Sequence, residues 1–416
     1  MKKVVIVALI ITLAAGAVFA EVNASAWIAG RAYTIIGDSV ENSHPQAFGA
    51  RDMRFVAQGQ NEDGTFGGLF RYWQRGSQGL ATPEAFGFVW WKPIDQVRLQ
   101  LGRNSFGDFA VWDIVRGSSF YGAARDGGQG TLLREAEAYI GEKHQVHLLS
   151  NAFEASAFKE GGAELSIYPI DGLAINLGIP YEIWGAATYD GKANHVYKNM
   201  LAQVVYTIPD TARIAFSFRG NDAAEKGIDI SGTYPTLGDN AALFLGVYFT
   251  GVENLGVNLG LRFMLPYKDD DADMTWNYPF LIALGASYTA GDFGIKARCE
   301  FGLGGSVKNG DTVDQPTTIF FELLPSLDIG VCKVFLSAAL DVAAYNDDVF
   351  FPNPVTLKKD AKVGFSINPY ISKTVGPGNF FAGVRLWADG TKVNGSSGDK
   401  DTLIMFDIPI GMVVSF

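Results

Sequence analysis

The feature that most constrains this chain is a two-residue alternation of apolar and polar side chains, repeated in many short segments. Within residues 293–301, for example, Phe293 and Phe301 end a row of apolar or small side chains, whereas Lys296 and Arg298 belong to the row between. A period of two puts successive side chains on opposite faces of a β-strand. Because helical heptads are lacking in the sequence, we expect an all-β fold whose strands have two unlike faces.

The connections between these segments alternate in length. Eight of them are short and rich in Pro, Gly, Asn or Asp, the residues that form hairpin turns. The others are long and polar, and the longest covers residues 105–160. Transmembrane β-barrels have short turns at one end and long loops at the other. The pattern therefore predicts a transmembrane antiparallel up-and-down β-barrel of about 18 strands, with about 16 or about 20 as the alternatives.

Composition agrees with export and with a membrane environment. Only 19% of the residues are charged, whereas soluble domains have roughly a quarter. Residues 1–20 combine Lys2 and Lys3 with an apolar stretch and a small-residue end, which is typical of a cleaved secretory signal peptide. The later sequence contains no run of about 18 apolar residues that could form a transmembrane helix. We therefore expect a signal peptide over 1–20 and a β-barrel over 21–416.

The two rows of each strand predict which side chains face the interior of such a barrel. A soluble sheet also alternates, but in a transmembrane barrel the apolar row faces lipid and the polar row faces the lumen. Aromatic side chains beside the turns, such as Trp90, Trp91, Tyr248 and Tyr370, favour the membrane alternative, because aromatic girdles mark both interfaces. The residues that we expect to line the pore are Arg54, Arg71, Arg98, Arg213, Arg219, Arg262, Lys296, Arg298, Glu300 and Arg385.

The chain ends on an alternating strand, DTLIMFDIPIGMVVSF, whose last residue is Phe416. Together with the export signal and the other alternating strands, this ending resembles the bacterial outer-membrane β-barrels of the porin family. The resemblance implies a location in the bacterial outer membrane, contact with its lipid, and a role for Phe416 as the signal that the barrel-assembly machinery reads. Porins are often homotrimers, so the resemblance extends to that assembly as an expectation.

The long connection after the fifth predicted strand also resembles a porin feature. The strand ends at Gly102 and Arg103, similar to the Gly-Arg or Gly-Lys that leads into the third extracellular loop of porins. In that family the loop folds into the barrel, which implies that residues 105–135 narrow the pore here. A surface-exposed loop whose charges meet water is the alternative. The resemblance places these residues at the constriction: Asp108, Asp113, Arg116 and Arg125.

Size and charge then suggest a function. A barrel of about 16 to 18 strands leaves an aqueous channel, so we expect passive diffusion of small hydrophilic solutes or ions. Cations outnumber acids on the polar rows, which favours a weak anion preference; a balanced lumen is the alternative. A second function class is a surface-exposed barrel that acts as an adhesin or structural protein, with loops such as 181–198 and 343–361 as its binding sites.

Other kinds of chemistry find little support in the sequence. The net charge of −11 argues against nucleic acid as a partner. His144 and His147 follow Glu142 at a spacing that could hold a metal, but exposed histidines are the simpler interpretation. The Gly-x-Ser-x-Gly motif of hydrolases does not occur. We therefore expect no catalytic residues, no metal and no cofactor, in a protein that is not an enzyme.

Overall fold

A computed structural model describes a large part of the chain. The predicted signal peptide, except for Ala20, lies outside the described residues. The described residues are 20–37, 40–43, 46–75, 84–103, 110–117, 153, 161–180, 200–220, 241–264, 267–269, 272–274, 280–303, 306–309, 311–314, 317–344, 349–351, 355–357, 361–389 and 403–415.

Barrel strands and one helix account for most of these residues. In chain order they are β1 (Ala20–Gly37), β2 (Val40–Ser43 and Gln46–Gln60), β3 (Phe66–Arg75), β4 (Glu84–Ile94), β5 (Val97–Arg103), α1 (Ala110–Gly117), β6 (Gly161–Ile170), β7 (Leu173–Pro180), β8 (Leu201–Ile208), β9 (Ala212–Arg219), β10 (Ala242–Val252), β11 (Leu255–Met264), β12 (Phe280–Ala290), β13 (Phe293–Leu303), β14 (Thr317–Asp328), β15 (Lys333–Ala344), β16 (Ala361–Val375), β17 (Gly378–Gly383 and Arg385–Asp389) and β18 (Leu403–Ser415).

Short strands in the long connections add small hairpins outside the barrel sheet. They are Tyr267–Asp269 with Ala272–Met274, Ser306–Asn309 with Asp311–Asp314, and Val349–Phe351 with Val355–Leu357. Over the part of the chain that the structure describes, no helix has the length and apolar character needed to span a membrane.

The barrel strands pair antiparallel with their neighbours in sequence. Because β2 and β17 each consist of two segments that pair with the same adjoining strand, the main sheet of 20 segments corresponds to 18 strands. The last strand, β18, pairs with β1 from Ser25↔Ser415 to Ile36↔Ile404. The pairing therefore runs in a closed cycle, and the predicted all-β, up-and-down architecture is confirmed.

Short turns join the strands at one end of the barrel, where the sequence predicted them. Asp210 and Asn254 have positive φ values of 55° and 61° in two of these turns, a conformation that Asp and Asn tolerate better than most residues. The turns fix the register of each hairpin and hence the row of each strand that faces inward. Their residues are 61–65, 95–96, 171–172, 209–211, 253–254, 291–292, 329–332 and 376–377.

The outer face of the barrel is apolar and accessible, whereas the opposite face is polar and covered. Leu101, Phe216 and Ile319 are large apolar residues, yet they are 59%, 47% and 48% exposed. On the opposite rows, Gln100 and Ser217 are 4% and 0% exposed. A soluble barrel has the reverse arrangement, so this distribution is that of a barrel whose outer face contacts lipid.

Candidate pore lining and inserted helix

Polar side chains of β5 and β6 form a hydrogen-bonded group on the inner wall. Arg98 Nη2 donates to Gln100 Oε1 at 2.7 Å, and Gln100 Nε2 donates to Glu164 Oε2 at 3.1 Å. Ser166 Oγ donates to the other carboxylate oxygen of Glu164 at 3.3 Å. Gln100, Glu164 and Ser166 are buried, so these bonds compensate the Glu164 carboxylate for its loss of water.

The same wall continues in polar residues across β7, β8 and β9. Asn176 Nδ2 donates to Gln203 Oε1 at 3.4 Å, and Gln203 Nε2 donates to Ser217 Oγ at 2.6 Å. These residues lie directly opposite one another in neighbouring strands, which brings their side chains together on one face. We call the combined set the polar belt: residues 98, 100, 164, 166, 176, 203 and 217.

A second polar group lies on β13, β14 and β15. Arg298 and Glu300 belong to the inward row of β13 and form an ion pair. Arg298 is directly opposite Glu322 in β14, and Glu322 Oε1 accepts a hydrogen bond from Ser337 Oγ at 3.3 Å. All four residues are buried. The group therefore places one guanidinium beside two carboxylates on the inner wall.

Between these two groups, the inner wall of β10 to β12 carries a patch of glycine and apolar residues, beside the buried polar residues Asn258 and Arg262 of β11. Gly246, Gly260 and Ala283 lie opposite one another across the three strands. Phe244 and Leu281, on the same inward rows, are 0% exposed. A wall that faced water would carry polar side chains, so this stretch, which we call the glycine wall (residues 244, 246, 260, 281 and 283), has to be covered by other apolar groups.

Helix α1 covers the glycine wall. Val111, Ile114 and Val115 share one face of the helix, because residues three and four apart are neighbours on its surface, and each is at most 2% exposed. The helix contacts β9, β10, β11 and β12, although it belongs to the connection between β5 and β6. Helix α1 therefore lies on strands that are not neighbours of β5 or β6 in the sheet.

Two glycines allow the helix to approach the strand backbone closely. A Cβ atom at Gly260 would lie 2.3 Å from Val115 Cγ2, and one at Gly246 would lie 3.1 Å from Ile114 Cδ1. Phe153, later in the same connection, is 0% exposed and its ring lies 3.1 Å from the same Cβ position at Gly260. The described parts of the long connection, α1 and Phe153, therefore lie against the inner wall, as the inserted-loop prediction expected; the narrowing of the pore by residues 105–135 stays a prediction.

The chain enters this loop through Gly102 and Arg103, as the resemblance implied. Gly102 has a φ of 131°, and a Cβ there would lie 2.3 Å from the carbonyl oxygen of Gly87, so glycine is required by both conformation and space. The Arg103 guanidinium lies 4.8 Å from the ring centre of Phe86, which is buried. Gly102 thus ends the regular geometry of β5 and lets Arg103 pack on an inner aromatic ring.

Apart from Asp113, the predicted site residues fall into three groups. Asp113, on α1, is half-buried. The first group is buried on inward rows: Arg219, Arg262, Arg298 and Glu300. The second is half-buried on inward rows: Arg71, Arg98, Arg213 and Lys296. The third group lies outside the part of the chain that the structure describes. For Arg54, Arg116 and Arg385 this concerns the side chain alone, and for Asp108, Arg125, Phe416, His144 and His147 the whole residue.

Several aromatic residues that the sequence-based analysis placed in the membrane girdles face the interior of the barrel instead. Trp91 is 50% exposed on the outer face, as a girdle residue should be. Trp90 and Tyr248, in contrast, lie opposite the buried residues Gln100 and Asn258, and so face inward. Tyr370 is 5% exposed and also lies on an inward row. The girdle prediction is wrong for these three because position beside a turn does not determine the face, whereas the pairing register does.

The sequence-based analysis also missed the neutral residues of the inner wall. It placed Gln100 and Asn176 on polar rows but listed only charged residues as pore-lining, and it did not single out Gln203. It assigned no role to Gly246 and Gly260, which lie on the inward rows of β10 and β11. Glycine inside a strand often marks a place where another part of the chain approaches closely, so these two positions could have indicated the docking site of α1.

Comparison with known proteins identifies the fold. No protein-family model matches the sequence, and no curated protein matches it. Among solved structures, a BenF-like porin from Pseudomonas fluorescens Pf-5 is 11% identical, with a TM-score of 0.50 over 95% of this chain and 99% of that one. Pseudomonas aeruginosa OpdL is 13% identical, with a TM-score of 0.50 over 94% of this chain and 99% of its own. An anion-selective porin from Comamonas acidovorans is 11% identical, with a TM-score of 0.49 over 96% and 100%. At these identities the likeness concerns the fold, and the chain has the fold of a porin barrel.

Proposed function

We propose that this protein is a porin of the bacterial outer membrane, through which small hydrophilic solutes diffuse passively. The observation that carries the proposal is the inverted distribution of side chains on a closed barrel. Phe216 is 47% exposed on one face of β9, while its neighbour Ser217 is fully buried on the other face. An apolar outer face suits the hydrocarbon of a bilayer, and a polar inner face suits water and solutes.

The size of the barrel supports a channel rather than a filled core. Small barrels are packed by their own side chains, whereas barrels of about 16 to 18 strands enclose an aqueous lumen. In this protein, α1 occupies part of that lumen against the glycine wall. We expect the helix to set the size limit, because it occupies part of the lumen against the inner wall of β9 to β12.

The charge of the inner wall supports a weak preference for anions. Rings of cationic side chains lower the barrier for anions. Two of the acids, Glu164 and Glu322, are engaged by hydrogen bonds on the wall. Among the described inward residues, the cations include Arg71, Arg98, Arg213, Arg219, Arg262, Lys296, Arg298 and Lys333, and the acids include Glu164, Glu300, Glu322 and Asp328.

Proteoliposome swelling tests the proposal. Vesicles containing the refolded protein should swell in isotonic solutions of small sugars, at rates that fall as the sugar becomes larger, because the lumen is wide but partly occupied by α1. Vesicles with a heat-unfolded sample serve as the control. A folded, inserted barrel that passes none of the sugars would contradict the porin assignment and favour a surface-exposed barrel that acts through its loops.

A further inference from the structure

A cavity of about 290 Å³ lies on the inner wall of β12 to β17, close to the short turns. It is separate in sequence from the inserted loop, which contacts β9 to β12. The cavity is lined by side chains that differ from those of the polar belt, because it combines cations, hydroxyl groups and aromatic rings. The residues used below are Lys296, Lys333, Ser326, Asn379, Phe335 and Tyr370.

The charge of this cavity is positive. Among the described residues that line it, Lys296 and Lys333 are the charged ones, and Asp and Glu do not occur. Asp328 lies opposite Lys333 in the hairpin and is the acid nearest in the pairing, but it does not line the cavity; its Oδ1 accepts the backbone N–H of Gly330 at 2.8 Å within the turn. Two ammonium groups on one wall favour a ligand that carries a carboxylate or a phosphate.

Hydroxyl and amide groups surround the two lysines. Ser287, Ser326 and Ser372 line the cavity together with Asn379. Ser372 Oγ donates to Asn379 Oδ1 at 2.8 Å, which holds both side chains in place at its edge. Groups that both donate and accept hydrogen bonds match the hydroxyl groups of a sugar better than the few polar atoms of a simple organic acid.

The remaining wall of the cavity is aromatic. The rings of Phe335 and Tyr370 stack with a centroid distance of 4.6 Å and an interplanar angle of 5°, and Leu324 belongs to the same buried cluster. Lys333 Nζ lies 5.5 Å from the centre of the Phe335 ring, so a cation adjoins the aromatic surface. Ligand sites of this kind pair an apolar surface with a few convergent polar groups.

From these three properties we infer that the cavity binds a monosaccharide acid, a pyranose that carries a carboxylate or a phosphate. The lysines receive the acid group, the serines and Asn379 receive the ring hydroxyls, and the half-buried Phe335, which is stacked on the buried ring of Tyr370, receives the apolar C–H face of the sugar. A volume of about 290 Å³ is at the small end of ligand sites, which suits one sugar ring. The inference rests on the proposed function insofar as the ligand reaches the cavity through the lumen.

Equilibrium dialysis of the refolded, detergent-solubilised barrel tests the inference, because it reads binding whether or not the channel conducts. The probes are D-glucuronate, glucose 6-phosphate, neutral glucose and acetate. At least one of the two sugar acids should bind about tenfold or more tightly than glucose and acetate, and the tighter of the two identifies the acid group. Lys296→Met and Lys333→Met should each weaken that binding by about tenfold, the effect of losing one charge-assisted hydrogen bond.

Lys373→Met is the matched control, since Lys373 is an exposed lysine in β16 that does not line the cavity. It should leave binding unchanged, and Phe335→Leu should weaken it. The inference is overturned if glucose or acetate binds as well as the sugar acids, or if Lys373→Met weakens binding as much as the cavity variants do. Sugar passage into vesicles without any binding of sugar acids would overturn this inference alone and leave the porin function standing.

Discussion

At Gly260, the lack of a side chain decides where the inserted helix lies. A Cβ at this position would lie 2.3 Å from Val115 Cγ2 and 3.1 Å from the ring of Phe153, and real Cβ atoms do not approach other carbon atoms as closely as the first distance. Both contacts belong to the connection between β5 and β6. One added methyl group on β11 would therefore act directly on α1 and Phe153, although they are far from β11 in sequence.

We predict that Gly260→Ala loosens α1 and enlarges the pore. The overpacked contact should destabilise the docked loop by about 1 to 3 kcal/mol, so mean single-channel conductance and its noise should both rise. Gly87→Ala is the matched control, because a Cβ at Gly87 would meet its nearest atoms at 3.5 and 3.7 Å, which is ordinary contact. Equal conductance in the two variants would show that α1 does not limit the pore.

Single residues also show how far sequence reasoning reaches. The inward direction of Arg98 and Arg298 could be predicted because their strands alternate without interruption. Their burial could not, because it depends on what covers the inner wall. The direction of Trp90 could not be predicted either, since Val89, Trp90 and Trp91 follow one another and both rows of β4 are therefore apolar at this point.

At the scale of elements, α1 and β10 should be close enough to link covalently. The Cβ of Ile114 lies 3.3 Å from the position that a Cβ would take at Gly246, slightly below the usual separation of disulfide-bonded Cβ atoms, about 3.5 to 4.5 Å. With Cys299 and Cys332 replaced by serine, Ile114→Cys combined with Gly246→Cys should form a disulfide on mild oxidation. The bond should suppress conductance noise that arises from movement of the helix.

Ile114→Cys combined with Gly87→Cys is the control pair, because β4 is not among the strands that α1 contacts. A change in electrophoretic mobility on reduction reports the bond. If both pairs cross-link at the same rate, α1 is not held at the glycine wall, and the assignment of the helix as the pore-narrowing element fails.

The elements differ in how well they could be predicted. The eight short turns were identifiable because Pro, Gly, Asn and Asp have specific roles in tight turns. The existence of an inserted segment followed from the length of the loop and from the resemblance at Gly102 and Arg103. Its docking position did not, because the partner surface is assembled from β9 to β12 and no local pattern in residues 105–160 specifies those strands.

For the whole molecule, the outer face should behave as a lipid-facing surface. Phe216 lies midway along β9 and is 47% exposed. We predict that Phe216→Arg lowers the free energy of unfolding in lipid vesicles by about 2 to 4 kcal/mol, the cost of a guanidinium near the bilayer centre. Urea titration of the folded barrel in vesicles measures this change.

Phe216→Leu keeps an apolar group at the same place and should cost much less. Equal losses in the two variants would mean that the apolar outer face is packed against protein and not against lipid. Such a result would remove the main support for a membrane location, whereas the barrel topology would remain.

The architecture as a whole was the most predictable part. It follows from patterns that every strand repeats, so an error in one strand does not alter the conclusion. Pairing of β1 with β18 completes the architecture, because an open sheet would leave the backbone groups of its two edge strands unpaired. Selectivity is less predictable, because it depends on a few charges near α1 whose burial only the packed loop determines.

The most direct test of the central claim is conductance of the refolded protein in a planar bilayer, recorded with a salt gradient. We predict discrete conductance steps and a reversal potential of the sign that indicates anion preference. Arg213→Glu should shift that potential towards cations, whereas Lys373→Glu, on the outward row of β16, should shift it much less. Insertion of the folded barrel without conductance steps would contradict the porin assignment, and a reversal potential that favours cations would contradict the anion preference.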